Sequence, residues 1–262
     1  MDPTWTGIVG LLALFILLGL RMPVAIVMML IGFFGIAYLN SWDAALSTLA
    51  DEAWVISSNY EFIVIPLFIL MGNFASISGM SRDLYGAAYS WFGHWRGGLA
   101  SATIAACAGF AALSGSSVAS AVTMGRVALP EMKRYNYSDR LATGAIAAGG
   151  TLGILIPPST GFIIYAILVE ESIGRLFLAG VLPGLMLTVL FMISIAIVTR
   201  INPTLGPPGE RSTMTQRGQS LVQAGPMLLI VFITIGGIYG GVFTPTEAAA
   251  VGAMLAFLLA LF

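Results

Sequence analysis

The stretch from Gly97 to Leu129 is apolar enough to enter a bilayer, yet Ser114-Gly115-Ser116-Ser117 breaks it in the middle and basic residues flank both ends. Arg96 precedes it, and Arg126, Lys133, Arg134 and Arg140 cluster around its exit. The positive-inside rule therefore places both ends in the cytoplasm. A single span cannot satisfy that. Two full spans cannot either, because the apolar arm after the break has about 13 residues, roughly 20 Å of helix against a hydrocarbon core of roughly 30 Å. The pattern predicts a hairpin that enters and leaves from one face. Irregular backbone at membrane depth is tolerated only where protein buries it or water reaches it, so a broken apolar hairpin points to a transport pathway.

Composition fits that reading. The chain is 58% hydrophobic and 9% charged with a mean hydropathy of +0.95, whereas soluble domains carry about 25% charged residues. It predicts an all-α polytopic membrane protein, with the lipid bilayer as its surroundings. A net charge of -1 argues against a nucleic-acid partner. Cys107 is the only cysteine, which excludes an intramolecular disulfide and a thiolate metal cluster, and its apolar neighbours suit a small packed side chain. The Ile8–Leu20 run lacks the basic start and small-residue cleavage site of a signal peptide, and reads as a first span.

Apolar runs predict spans at Trp5–Leu20, Pro23–Leu39, Phe62–Ile77, Leu141–Val169, Ile173–Thr199, Leu221–Val242 and Pro245–Phe262, besides the hairpin. With the N-terminus outside, every Lys and Arg except Arg175 falls on the inner face. Counting the hairpin as a crossing would move the Arg200–Arg217 loop outside. The connection from Asn40 to Glu61 carries only acidic charge, with Trp42, Leu46, Leu49 and Ala53 at helical spacing, and predicts an amphipathic helix in the outer interface. Ser81–Trp95 predicts a counterpart on the inner surface, and all the tryptophans fall at predicted interfaces, as an aromatic belt requires. Asn202–Gln219, rich in Pro, Gly, Ser and Thr, reads as the linker. The domain reading is therefore a first unit over residues 1–199, a cytoplasmic linker over 200–220, and the start of a second unit over 221–262. The first unit comprises helices within 1–80, an interfacial helix at 81–95, the hairpin at 97–129, a broken helix at 141–169 and a helix at 173–199. The apolar run ends at Phe262 without a polar flank, and the expectation is of a longer natural protein.

The broken helix is the second irregular element. Gly149-Gly150-Thr151-Leu152-Gly153 leads into Ile154-Leu155-Ile156 and then Pro157-Pro158-Ser159-Thr160. Adjacent prolines donate no backbone hydrogen bond, so the carbonyls of Gly153 and Ile154 are predicted to be left free at membrane depth. A plain proline kink would look similar, but here the glycine run and the two hydroxyls accompany it. At each break one helix ends in carbonyls and the next begins with amides, Ser116 or Ser117 serving as a cap in the hairpin. Carbonyl and hydroxyl oxygens suit a hard cation such as Na⁺, and helix N-termini suit an anionic group. The interiors of the spans carry no Asp, Glu, Lys or Arg, which argues against a carboxylate proton relay. Thr244-Pro245-Thr246-Glu247 is a capping box, so Glu247 holds a helix start, and Ser138 and Ser172 are expected to cap the helices that follow them. An enzyme is not expected. The one histidine, His94, lies in the predicted inner interface rather than near the serines, and no cluster of metal-ligating residues has the right spacing.

Three stretches in order, ALSGSSVASAVTMG at Ala112–Gly125, GGTLGILIPPSTGFIIYAILVEESIGRLFLAGVLPGL at Gly149–Leu185 and GGVFTPTEAAAVGA at Gly240–Ala253, resemble the large, DctM-like membrane subunit of TRAP transporters. The likeness runs over essentially the whole chain. It implies a secondary transporter of the bacterial inner membrane that takes up organic acids with Na⁺ as coupling ion and no other cofactor. It further implies a periplasmic substrate-binding protein and a small membrane subunit as partners. In this family the hairpin and broken helix move as an elevator against a scaffold, and a second, inverted set of both completes the site, so this chain would be an elevator-type transporter half. Carried over by motif, Ser114, Gly115, Ser116, Gly153 and Pro157 would form the first cation site, and Ser117, Ser159 and Thr160 would contact substrate. The alternative is a Na⁺/anion symporter that works without a binding protein.

Overall fold

A computed structural model describes residues 3–261, and among them every regular element is helical. Helices satisfy their own backbone, which lipid cannot do. They group into two compact units, Met1–Phe62 and Ile63–Phe262.

The first unit holds α1 (Pro3–Gly19), α2 (Val24–Leu39) and α3 (Trp42–Ser58). Arg21 takes a left-handed φ of 63° just before Pro23, which turns the chain between α1 and α2. The Ser41 hydroxyl accepts from the Ala44 amide at 3.1 Å to start α3. Phe33 and Phe34 then meet Trp42 edge-on at 5.9 and 6.2 Å. Most of α3 is exposed, including Asp43, Asp51 and Glu52, as an interfacial helix would be.

The second unit follows the order α4 (Val64–Ile77), α5 (Met80–Phe92), α6 (Gly98–Ser114), α7 (Ser117–Arg134), α8 (Asp139–Thr151), α9 (Thr160–Leu168), α10 (Ile173–Ile201), α11 (Met214–Tyr239) and α12 (Pro245–Ala260). Among the described residues three helical stretches, Tyr60–Ile77, Ile173–Ile201 and Met214–Tyr239, are long and apolar enough to cross a membrane, while the apolar helices at 4–19, 24–39, 98–114 and 245–260 are shorter. Helix α6 lies at the centre and is buried along most of its length. Its small residues permit this, since Ala, Ser and Gly let neighbouring backbones come close. A methyl group on Gly149 of α8 would lie 2.7 Å from the Cys107 sulfur, and one on Gly109 would lie 2.9 Å from Leu84 of α5. On another side, Phe74 of α4 packs on Phe257 of α12, their rings 5.1 Å apart.

Several boundaries differ from expectation. The second hairpin arm, α7, has 18 residues, running through Pro130 to Arg134. At 1.5 Å per residue that is about 27 Å, so arm length alone does not exclude a crossing. The extra turn is the polar end of the helix, Glu131 to Arg134, which apolarity could not reveal. The interval expected as a linker is also more ordered than a linker. Helix α10 continues to Ile201, and α11 begins at Met214 under a Thr213–Gln216 capping box. What lies between is strapped down: Gly97 N donates to Gly206 O at 2.9 Å, Ser138 N to Leu205 O at 3.0 Å, and Gly209 N to Gly93 O at 2.8 Å. Ser138 thus binds the strap through its amide, and its hydroxyl forms no cap on α8. These three bonds gather the start of α6, the turn after α7 and the α10–α11 connection at one end of the unit.

The other expected caps form. Ser172 accepts from Arg175 N, and Thr244 and Glu247 exchange reciprocal bonds with Pro245 at the first helical position. Thr244→Ala is expected to cost about 1 kcal/mol, seen as a lower unfolding midpoint of the purified chain, with a smaller loss for Glu247→Gln.

Candidate functional site

The hairpin reverses at Gly115, which ends α6 with φ 57°. Only a residue without a Cβ adopts that conformation cheaply. Ser116 then caps α7, its hydroxyl accepting from Ala119 N at 3.4 Å while its carbonyl accepts from Ser120 N at 3.0 Å. Ser117 opens the helix and is half-buried. Inside the turn the buried hydroxyls of Ser114 and Ser120 bond each other at 2.8 Å.

The broken helix is interrupted between Ile154 and Thr160. Helix α8 passes into a tight turn at Leu152–Ile154, and regular structure stops before the prolines. Pro157 and Pro158 are buried and joined by a cis peptide bond. Ser159, fully buried, caps α9: its hydroxyl accepts from Phe162 N at 3.5 Å and donates to Ile154 O at 2.7 Å. The Ile154 carbonyl is therefore occupied rather than free, because a hydroxyl five residues on takes the place of the missing helical donor. That same bond commits the Ser159 hydroxyl to the protein.

The two breaks meet. Thr160 donates to Gly115 O through both its amide, at 3.3 Å, and its hydroxyl, at 3.0 Å. A methyl group on Gly115 would lie 2.6 Å from Pro158 O, and one on Gly153 would lie 2.5 Å from Ser116 O and 2.9 Å from Ser120 Oγ. Ser114, Gly115, Ser116, Gly153 and Thr160 thus belong to one junction, in which two helix C-termini and two helix N-termini converge; of the two prolines it is Pro158, not Pro157, whose carbonyl faces the hairpin tip. The converging groups are carbonyls, hydroxyls and amides, and among the described residues no charged side chain contributes a bond to the junction. Such a set can coordinate a hard cation through oxygens and face an anion with amides.

Residues outside the sequence reading complete the frame. Gly72 of α4 lies so close to the tip that a methyl there would come 2.8 Å from Ser114 Cα. Ser76 of α4 hydrogen-bonds Thr123 of α7 at 3.2 Å. Behind the broken helix, Gly180 and Gly184 of α10 face the Leu155 carbonyl and Ile156. The spacing Gly180-x-x-x-Gly184 is the small-residue pattern of close helix packing, a signal present in the sequence. His94 stands at the other end of α6, edge-on to Trp95 at 5.9 Å. Burial first, then the charges of Arg217 and Arg211, hold its imidazole below the usual histidine range. It is placed too far along a 17-residue helix to serve as a base for the tip serines.

Comparison with known proteins reaches the same segments. A family model described as "Tripartite ATP-independent periplasmic transporter, DctM component" matches residues 11–262. The C4-dicarboxylate TRAP transporter large permease protein DctM of Pseudomonas aeruginosa is 43% identical over 218 residues, 83% of this chain and 51% of that protein. The protein of the same name from Rhodobacter capsulatus is 35% identical over 269 residues, covering 97% and 60%. The sialic acid TRAP transporter large permease protein SiaM of Vibrio cholerae is 35% identical over 201 residues, covering 77% and 47%. The chain spans about half the length of the curated relatives it matches.

Proposed function

Since the chain belongs to the DctM component family of tripartite ATP-independent periplasmic transporters, a family of membrane transporters and not of enzymes, we propose that it supplies one half-site of a Na⁺-coupled importer of organic acids. The observation that carries this reading is the uncharged junction at Gly115 and Thr160, where two helix breaks present oxygens and amides to one place. Na⁺ is the coupling ion that fits such oxygens. Ser114, Gly115, Ser116, Gly153 and Pro157 are its proposed surroundings. Ser117, at the N-terminus of α7, is the proposed contact for the anionic end of the substrate, while Ser159 and Thr160, whose hydroxyls donate to Ile154 O and Gly115 O, hold the α9 N-terminus in register beside it.

Among the relatives' names are C4-dicarboxylates and sialic acid, both acidic solutes, beside isethionate and ectoine, and the proposed substrate class is carboxylates such as C4-dicarboxylates or sugar acids. A periplasmic binding protein would deliver the substrate, a small membrane subunit would accompany this one, and the location would be the bacterial inner membrane, crossed several times. In this proposal the hairpin and broken helix, pinned together by Thr160, travel as one body in an elevator movement.

Ser116→Ala in the full-length protein tests the cation assignment. Reconstituted with its two partners, the variant is expected to need several-fold more Na⁺ for half-maximal uptake, while the lost cap costs about 1 kcal/mol of stability. Na⁺ activation identical to wild type in a folded variant would refute the role of Ser116.

A further inference from the structure

A groove of about 910 Å³ opens between the α5–α6 corner and the second half of α10. One end of it is cationic. Arg96 and Arg200 line it and are exposed, and among the described residues neither guanidinium has an ion pair or hydrogen bond. Most of the remaining wall is apolar, supplied by Phe92 of α5 and by α10 from Val189 through Ile193 and Ala196. From Val189 to Arg200 the helix rises about 16 Å, which is half of a hydrocarbon core of roughly 30 Å and hence the depth of one leaflet. Ser101 supplies one polar group at an intermediate level. It is 2% exposed, lines the groove one turn in from the start of α6, and its hydroxyl has no partner among the described residues. Trp95 flanks the cationic end, where an interfacial aromatic belongs.

We propose that this groove holds one anionic phospholipid of the cytoplasmic leaflet. Arg96 and Arg200 take its phosphate, the Ser101 hydroxyl donates to an ester oxygen of its glycerol, and an acyl chain lies along Ile193 and Ala196. The proposal rests on the inner-face orientation of the basic residues and not on the transport reading. A soluble anion would use the arginines but leave a leaflet-deep apolar wall without purpose. A neutral lipid would use the wall but leave two unpaired cations. An anionic lipid uses both, and the inner leaflet is where such lipids meet juxtamembrane Lys and Arg.

The test uses the purified chain in neutral detergent and native mass spectrometry, titrating dioleoylphosphatidylglycerol against dioleoylphosphatidylcholine. The wild type is expected to retain one phosphatidylglycerol in clear preference. Arg96→Gln and Arg200→Gln are each expected to weaken its retention roughly 5-fold, and the double variant roughly 25-fold, with phosphatidylcholine unaffected. Ala196→Phe, an exposed position that would fill the groove, is expected to weaken both lipids. Equal retention of the two lipids by the wild type would overturn the proposal, as would an undiminished preference in the double variant. So would competition by glycerol 1-phosphate as strong as by the whole lipid with Ala196→Phe silent, which would assign the arginines to a free anion.

Discussion

Gly115→Ala is expected to separate the hairpin tip from the broken helix and to abolish Na⁺-stimulated uptake in the full-length protein. Two costs coincide at this residue. Its φ of 57° lies in the left-handed region, where a Cβ costs roughly 1–2 kcal/mol. The added methyl would lie 2.6 Å from the Pro158 carbonyl, and overpacking of that kind costs typically 1–3 kcal/mol. Together these come to about 2–5 kcal/mol, enough to shift the closed junction by roughly 30-fold or more. The neighbours cannot give way easily, because the atom met is backbone and that backbone is held by the Thr160 bonds to Gly115 itself. Gly79→Ala separates the two costs. Gly79 has φ 83° with nothing within 4 Å of the added methyl, so it carries the conformational cost alone. Unfolding midpoints of the purified chain should therefore fall further for Gly115→Ala than for Gly79→Ala. Equal falls would show that the tip does not press on the broken helix.

Much of this junction is legible in the residues, and what is not has a common cause. Local chemistry announces the breaks: glycine at a reversal, serine before a helix start, paired prolines that donate nothing. It also announces the caps at Ser116, Ser172 and Thr244, since a cap joins residues three apart. Expectation fails where a partner lies outside that range. The Ile154 carbonyl is satisfied by Ser159, five residues on, and the Ser138 amide by Leu205. Gly72 and Ser120 meet the tip only because α4 and α7 pass beside it, and nothing in their own neighbourhoods marks them. The length of α7 was hidden for a different reason: hydropathy sees the apolar part of a helix, and the last turn before Arg134 is polar. The proposed cation and substrate roles draw on the meeting of the two breaks at Gly115 and Thr160, since the residue types alone would equally suit a kinked, silent helix.

Cysteines placed at Arg96 and Lys133 are expected to react with a membrane-impermeant thiol reagent from the cytoplasmic side only, an all-or-none result. Charge gives the first reason, because a crossing would carry the basic residues from Arg126 to Arg140 and then the Arg200–Arg217 interval to the outer face. The backbone gives a second and independent one. Gly97 begins the hairpin and Ser138 follows it, and both donate to the same strap, to Gly206 O and Leu205 O. Bonds of 2.9 and 3.0 Å to carbonyls one residue apart cannot be made from opposite faces of a core roughly 30 Å thick. The hairpin must then return to the face it left, although α7 is long enough to reach across. The background is low, since Cys107 is the sole cysteine and is fully buried. Arg211→Cys should label from the same side as the two test positions, and Glu171→Cys, between α9 and α10, from the opposite side. Labelling of Lys133→Cys from outside, with Arg96→Cys still inside, would make the hairpin a crossing and reverse the orientation of every helix after it.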